Sequence, residues 1–305
     1  MVTLAVETYR IALMIQGTKH NLTVSLMRSI VKFTRLSIVI MQFFGINNAK
    51  QDFGEIMKTL SDPEGDGITR GWMVFYGVIS TIVYCIPRMI EECCRFWDVF
   101  PYIPWCTNEL SNIMITRQFC IILTIIQKRI SKLTKMMLSP SCSSWLAESY
   151  CEKHEQCLAI AIKTNEFYSR QLLVICIYIF LKFLNLMVEI ILDKPEIDEQ
   201  PWHFVLEAVA NGFHALTLVI LLLLLAGSCE STKKRVKEFH SALFKTMTDR
   251  PALRDSEWLN LYVEMSPTVE FTARDFFTIR YSLVTSVVAA VLTYLVIIVQ
   301  FNDSS

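Results

Sequence analysis

Residues 281–301, YSLVTSVVAAVLTYLVIIVQF, run for 21 positions without a charged side chain. A hydrocarbon core roughly 30 Å thick takes about 20 apolar residues of α-helix, so this stretch has the length of one crossing. Composition extends the inference to the whole chain. It is 53% hydrophobic and 19% charged with a mean hydropathy of +0.40, where soluble domains carry about 25% charged residues. The surplus apolar side chains are to be solvated by lipid. Within lipid only helices and closed barrels satisfy their own backbone, and the dyad alternation of a barrel is absent. The expected fold class is therefore all-α, a polytopic transmembrane helical bundle.

Five segments are apolar and long enough to span. Residues 71–87 carry no charge, 107–127 are weaker because Glu109 and Arg117 interrupt them, 171–192 include Lys182 and Glu189, 204–228 end in LTLVILLLLLAG, and 281–301 come last. Lys and Arg are retained on the cytoplasmic side during insertion. Their numbers alternate between connections: seven in 1–69, two in 88–109, seven in 128–170, one in 193–203, eight in 229–278 and none after 301. The N-terminus is thus expected inside and the C-terminus outside, opposite to G-protein-coupled receptors. The chain divides into an N-terminal cytoplasmic or amphipathic segment (1–69), a bundle with four clear spans (70–228), a cytoplasmic segment (229–278) and a last helix with a short extracellular tail (279–305). In 1–69 the best apolar run, Leu36 to Ile46, is too short to cross. Arg28, Lys32 and Arg35 precede it on one helical face, the pattern of a helix lying on the inner leaflet.

The balance of 29 basic against 29 acidic residues excludes a nucleic-acid reader, which needs a basic surplus to neutralise phosphates. Phosphate-binding glycine loops, zinc-protease and serine-hydrolase motifs are all missing, so neither an enzyme nor a cofactor is expected. Cys151, His154 and Cys157, with Cys142 nearby, lack the paired spacing of structural zinc sites and read as reduced thiols on a helix. Cys93, Cys94 and Cys106 fall in an outer loop, where one disulfide involving Cys106 is chemically allowed.

In the last span Ser282, Ser286, Ala289, Thr293, Ile297 and Gln300 share one helical face. That small, weakly polar stripe suits either close helix packing or the wall of a water-filled pore. Its final residues, Thr293-Tyr294-Leu295-Val296-Ile297-Ile298-Val299-Gln300-Phe301, closely resemble the TYhhhhhQF signature (h, hydrophobic) that ends insect gustatory receptors. Phe271, Ala273, Phe276, Phe277, Ile279 and Leu283 in FTARDFFTIRYSL resemble that family's approach to its last helix. Asn165, Phe167 and Gln171 to Leu173 in NEFYSRQLL are similar to a weaker family pattern. The resemblance implies seven transmembrane helices and a ligand-gated, non-selective cation channel in the plasma membrane, a homo- or heterotetramer whose last helices line one pore. It implies that Gln300 and Phe301 form the outer gate, with Ile297 and Thr293 facing the conduction path beside Tyr294, and that 229–278 is a cytoplasmic helical anchor. Only five spans are clear where seven are implied, so 1–69 either holds a degenerate pair or the first part of the bundle is lacking. The sugar-receptor branch tends to carry Glu where Leu295 stands, which leaves the bitter-type and fructose-type members. The alternatives are an incomplete or non-conducting member of the family and a membrane transporter.

Ionisable groups inside a span cost about 2.5–3.5 kcal/mol at the helix centre on insertion scales, so each needs a partner or a wet cavity. Lys182, Asn185 and Glu189 share one face, as do Glu207, Asn211 and His214. The two spans are joined by a short outer loop, so the stripes can face each other. Together with Tyr178, Trp202, His203 and Phe213 they form either a polar packing seam or the lining for a small organic tastant, the ligand class the resemblance implies. Epitope tags test the orientation: an N-terminal tag is expected to stain only after permeabilisation and a C-terminal tag on intact cells. The reverse pattern rejects it.

Overall fold

The computed structural model describes residues 102–192, 201–265 and 267–303. The span expected at 71–87 and the segment 1–69 lie outside the described residues. Three long helices dominate: α1 (Tyr102–Met137), α2 (Ser144–Leu192) and α3 (Pro201–Asp249). At 1.5 Å per residue the 49 residues of α2 or α3 extend about 74 Å, more than twice a bilayer core. Within Ser144–Met187 and His214–Asp249 lie stretches long and apolar enough to cross a membrane. Each of the two helices therefore has a lipid-embedded outer half and, on the orientation read from the loop charges, an inner half that continues into the cytoplasm.

Local chemistry sets the breaks. Ser143 accepts the Leu146 N–H at the start of α2 (3.4 Å), satisfying one of the amides that a helix leaves open. Pro251 forces the residue before it out of helical geometry, and Arg250 is extended (φ −133°, ψ 101°), which ends α3. The Arg250 guanidinium then donates to the carbonyls of Cys142 (2.6 Å) and Ser139 (2.8 Å). One cation thereby ties the α1–α2 turn to the end of α3. Two short helices follow, α4 (Pro251–Arg254) and α5 (Glu257–Met265). Next comes an antiparallel hairpin of β1 (Thr272–Ala273) and β2 (Phe277–Thr278), registered Thr272 to Thr278. Its turn places Arg274 (φ 48°) and Asp275 (φ 60°) in the left-handed region, where a non-glycine residue costs roughly 1–2 kcal/mol. The Thr272 hydroxyl donates to the Asp275 carboxylate (3.0 Å). The last helix, α6 (Tyr281–Asp303), leaves directly from this hairpin.

α1 packs most extensively against α3 and next against α2, whereas α2 and α3 touch each other less. The two helices joined by the outer loop are therefore held together largely through α1. Gln127 on α1 donates to the Ser228 carbonyl (3.0 Å) and the Thr232 hydroxyl (2.9 Å) of α3, and Thr246 of α3 donates to the Met137 carbonyl (3.3 Å) further in. Both contacts keep the same order along the two helices, so α1 and α3 run parallel. α6 crosses both its neighbours: Phe180 of α2 meets Tyr294 edge-on at 6.2 Å, and the Tyr281 hydroxyl lies where a Cβ on Gly227 would come within 2.9 Å. Absence of a side chain at Gly227 lets α6 start against α3.

One apolar core runs the length of the described bundle, from Phe119 and Leu172 to Phe239, Leu259 and Phe271. In its inner part His154 is fully buried and stacks on Phe239 at 4.0 Å, with its Nδ1 2.7 Å from the Tyr262 hydroxyl of α5. The His240 ring meets His154 edge-on at 5.3 Å, and its Nε2 lies 3.1 Å from the Pro267 carbonyl. Burial first, and then the nearby His240, lower the His154 pKa from 6.5 to about 3. Burial lowers His240 as well. The folded chain holds both rings neutral while the unfolded chain takes up protons near pH 6.5. Their contribution to stability is complete above that pH and is lost as pH falls from about 6.5 toward 3. Melting temperature of the detergent-solubilised protein is therefore expected to drop between pH 6.5 and 4.5, with a shallower slope in His154→Gln. An equal slope in the variant rejects this assignment.

Candidate functional site

The stripe singled out on the last helix faces away from its own protomer. Ser282, Ser286, Ala289, Thr293, Ile297 and Gln300 are all exposed, while Val284 and Val291 are buried and Leu283 and Val287 pack half-buried against the core. Sequence periodicity and packing agree on which side is which. Thr293 donates its hydroxyl to the Ala289 carbonyl (2.9 Å) and Thr285 to that of Ser282 (2.9 Å), so these hydroxyls satisfy themselves within the helix and leave a mildly polar wall. The stripe rises about 27 Å over the 18 residue steps from Ser282 to Gln300, nearly a full bilayer core. Tyr294 is half exposed at 50% and shares the Phe180 contact. The side chain of Phe301 lies outside the described residues.

The second set of residues is turned inward. Tyr178, Asn185, Asn211 and His214 are all buried, and Lys182 is 8% exposed. The polar faces of both α2 and α3 thus point into the bundle. The side chains of Glu189, Trp202, His203, Glu207 and Phe213 lie outside the described residues. α1 adds Asn112 and Thr116, which are 2% and 1% exposed. Sequence reasoning missed this pair, whose spacing of four inside an apolar span was the available signal. Asn112 Nδ2 and Oδ1, Thr116 Oγ1 and Asn185 Oδ1 are buried and have no hydrogen-bond partner among the described residues. Each such group costs on the order of 1–3 kcal/mol. A ligand with donors and acceptors of its own can recover that cost, which is what this belt can do chemically.

The Cys151, His154 and Cys157 cluster is part of the inner core, all three residues being buried. Burial pushes the Cys151 thiol up to about 12 and raises Cys142 and Cys157. Thiolates, the form that binds metal, are thereby disfavoured. These thiols are free. Cys93 and Cys94, and the side chain of Cys106, lie outside the described residues.

Two sequence patterns that stand far apart in the chain meet. Asn165 of NEFYSRQLL accepts the backbone N–H of Thr272 in FTARDFFTIRYSL through Oδ1 (3.2 Å), and Phe119 contacts Phe271 edge-on at 6.1 Å. Phe271, Ala273 and Ile279 are fully buried, whereas Phe276 at the turn is 77% exposed. The hairpin that launches the last helix is thus pinned to α1 and α2.

No curated protein sequence matches the chain significantly. Among solved structures, the insect olfactory receptor OR5 from Machilis hrabei superposes with a TM-score of 0.69 at 12% identity, over 98% of this chain and 88% of that one. The same receptor in complex with eugenol superposes with a TM-score of 0.68 at 11% identity, over the same shares. At such identity the likeness concerns the fold, a seven-transmembrane helical one. The sequence profile described as 7tm Chemosensory receptor matches residues 68–305. By that match, and with the receptor fold around an outward-facing last helix, the chain belongs to the chemosensory receptor family, multi-pass membrane proteins with a ligand-gated ion-channel fold and not enzymes.

Proposed function

We propose that the protein is a gustatory receptor subunit, opened by a small organic tastant and conducting cations through a homo- or heterotetrameric pore in the plasma membrane. The observation that carries this reading is the last helix. Its six-residue stripe is exposed along the whole crossing while the opposite face packs into the protomer. A weakly polar face of that length is poorly suited to lipid, and four copies turned to a common axis would hydrate it. Gln300 and Phe301 then form the outer constriction, Ile297 and Thr293 line the path below it, and Tyr294 braces the helix against Phe180. The ending Thr293-Tyr294 to Gln300-Phe301 favours the gustatory over the olfactory branch, and Leu295 favours bitter-type or fructose-type members over the main sugar branch.

The tastant occupies the belt formed by Tyr178, Asn185, Asn211 and His214, and Glu189, Trp202 and Glu207 are the further ligand contacts that the sequence pattern suggests. The belt's recognition groups are the buried side chains of Tyr178, Asn185, Asn211 and His214 together with the Asn112 amide and the Thr116 hydroxyl of α1. The olfactory receptor of the same fold was solved with eugenol, a small aromatic molecule, and the aromatic and amide character of the belt suits ligands of that size.

The pore assignment is tested by cysteine accessibility. Current through Ile297→Cys is expected to fall by more than half on treatment with a membrane-impermeant thiol reagent, while Val291→Cys on the packed face behaves like the parent. Equal sensitivity of the two rejects it. The pocket is tested by His214→Ala and Asn211→Ala, each expected to shift agonist potency roughly tenfold, equivalent to about 1.4 kcal/mol, at unchanged surface expression. Unaltered potency in both sinks the pocket and leaves the pore reading standing.

A further inference from the structure

A cavity of about 450 Å³ lies away from the polar belt, between the inner part of α3 and the segment that leads into the last helix. Glu230, Lys233, Lys234 and Lys237 line it from α3, and Glu270 and Arg280 from the other side. The α3 residues follow spacings that bring them to one face. Their depth follows from two independent markers. The uncharged run of α3 ends at Cys229, just after Gly227, and that of α6 begins at Tyr281. Gly227 and Tyr281 are in contact, so the two apolar boundaries are level. Lys233, Lys234, Lys237 and Arg280 consequently ring the cavity just beyond the lipid, on the side where the loop charges put the cytoplasm.

Four cations face two carboxylates in this cavity. Glu270 is shared, its Oε1 lying 2.9 Å from an Arg280 Nη2 and 3.8 Å from the Lys233 Nζ. Lys234 and Lys237 are exposed, and among the described residues no carboxylate is within ion-pair distance of either. Arg235 on a neighbouring face pairs instead with Glu238 at 2.8 Å. The cavity thus has two cations with no carboxylate and two more held by a single exposed carboxylate that a stronger anion can displace. Its volume falls in the range of small-molecule sites, about 300–1,000 Å³. Clustered basic residues immediately cytoplasmic of a span are the sequence form of sites for multiply phosphorylated inositol lipids.

We propose that this cavity binds the headgroup of a polyphosphorylated inositol lipid from the inner leaflet. The phosphates engage Lys234 and Lys237 and compete with Glu270 for Lys233 and Arg280. Arg280 immediately precedes the last helix, so occupancy connects the composition of the inner leaflet to the base of that helix. The binding step itself does not depend on which tastant opens the channel or on whether the pore conducts.

The test is binding of dioctanoyl phosphatidylinositol 4,5-bisphosphate to the full chain in detergent, measured by thermophoresis. K234Q/K237Q is expected to weaken binding at least tenfold. K245Q, a charge change further along α3 and outside the cavity, should leave it within twofold. E270Q removes the competing carboxylate and is expected to tighten binding about threefold, while E238Q, the same charge change outside the cavity, is expected to leave it unaltered. Soluble inositol trisphosphate and dioctanoyl phosphatidylserine should each bind more than tenfold more weakly than the bisphosphate lipid. Equal affinity for the soluble trisphosphate would overturn the lipid source. Equal affinity for phosphatidylserine, or equal weakening by K245Q, would reduce the effect to unspecific surface charge and overturn the site.

Discussion

A bilayer core contains no water to receive an unpaired polar group, and most of what this chain does follows from that. It makes the crossings helical, because only a helix closes its hydrogen bonds within one segment. It also turns the polar side chains of the crossings to one of two destinations. Asn112, Thr116, Lys182, Asn185, Asn211 and His214 are buried in the bundle, where α1 lies against both α2 and α3. Ser282, Ser286, Thr293 and Gln300 face the other way, out of the protomer. One physical constraint thus sorts inward from outward polarity.

The same helices change solvent along their length, and the forces that hold them change too. Within lipid, neighbouring helices gain little from burying apolar surface, and association rests on close packing and occasional hydrogen bonds; at the inner boundary Gln127 bonds to Ser228 and Thr232. Beyond the lipid, the inner ends of α1, α2 and α3 meet water, and burial of a large apolar side chain again contributes about 1.5–3 kcal/mol. There the packing is aromatic and dense, with His154 stacked on Phe239 and joined to Tyr262, and Trp258 stacked on Tyr262 at 5.4 Å. The base of the last helix is set where the two regimes meet. Asn165 holds the hairpin from α2, Gly227 admits Tyr281 against α3, and Glu270 joins Lys233 to Arg280. The start of α6 is thereby held by both α2 and α3.

Much of this was legible in the residues. Uncharged runs of 20 or so residues announce helical crossings because no other backbone tolerates lipid. The four-and-three spacing on the last span marked a face that does leave the protomer. The spacing within 182–189 and 207–214 marked faces that do turn inward, as far as their described members go. The cysteine and histidine cluster at 151–157 lacked metal spacing, and its residues are core residues with thiols held protonated by burial. What sequence pattern missed was the third wall of the belt. α1 reads as a weak span because Glu109 and Arg117 dilute its hydropathy, and that dilution masked Asn112 and Thr116, which lie on its buried side.

The sequence by itself determined the solvent, the helical class, the periodic faces and the family signature at the chain's end, since each is a property of neighbours within a few turns. Only the tertiary structure decided which helix stands between which. It showed that α1 lies against both α2 and α3, which touch each other less, that Asn165 reaches Thr272 more than a hundred residues on, and that Arg250 clamps the α1–α2 turn. It also brought four scattered basic residues of two segments around one cavity. Periodicity fixes direction around a helix axis but carries no information on the partner it meets, and contacts between remote segments depend on the packing of the entire bundle.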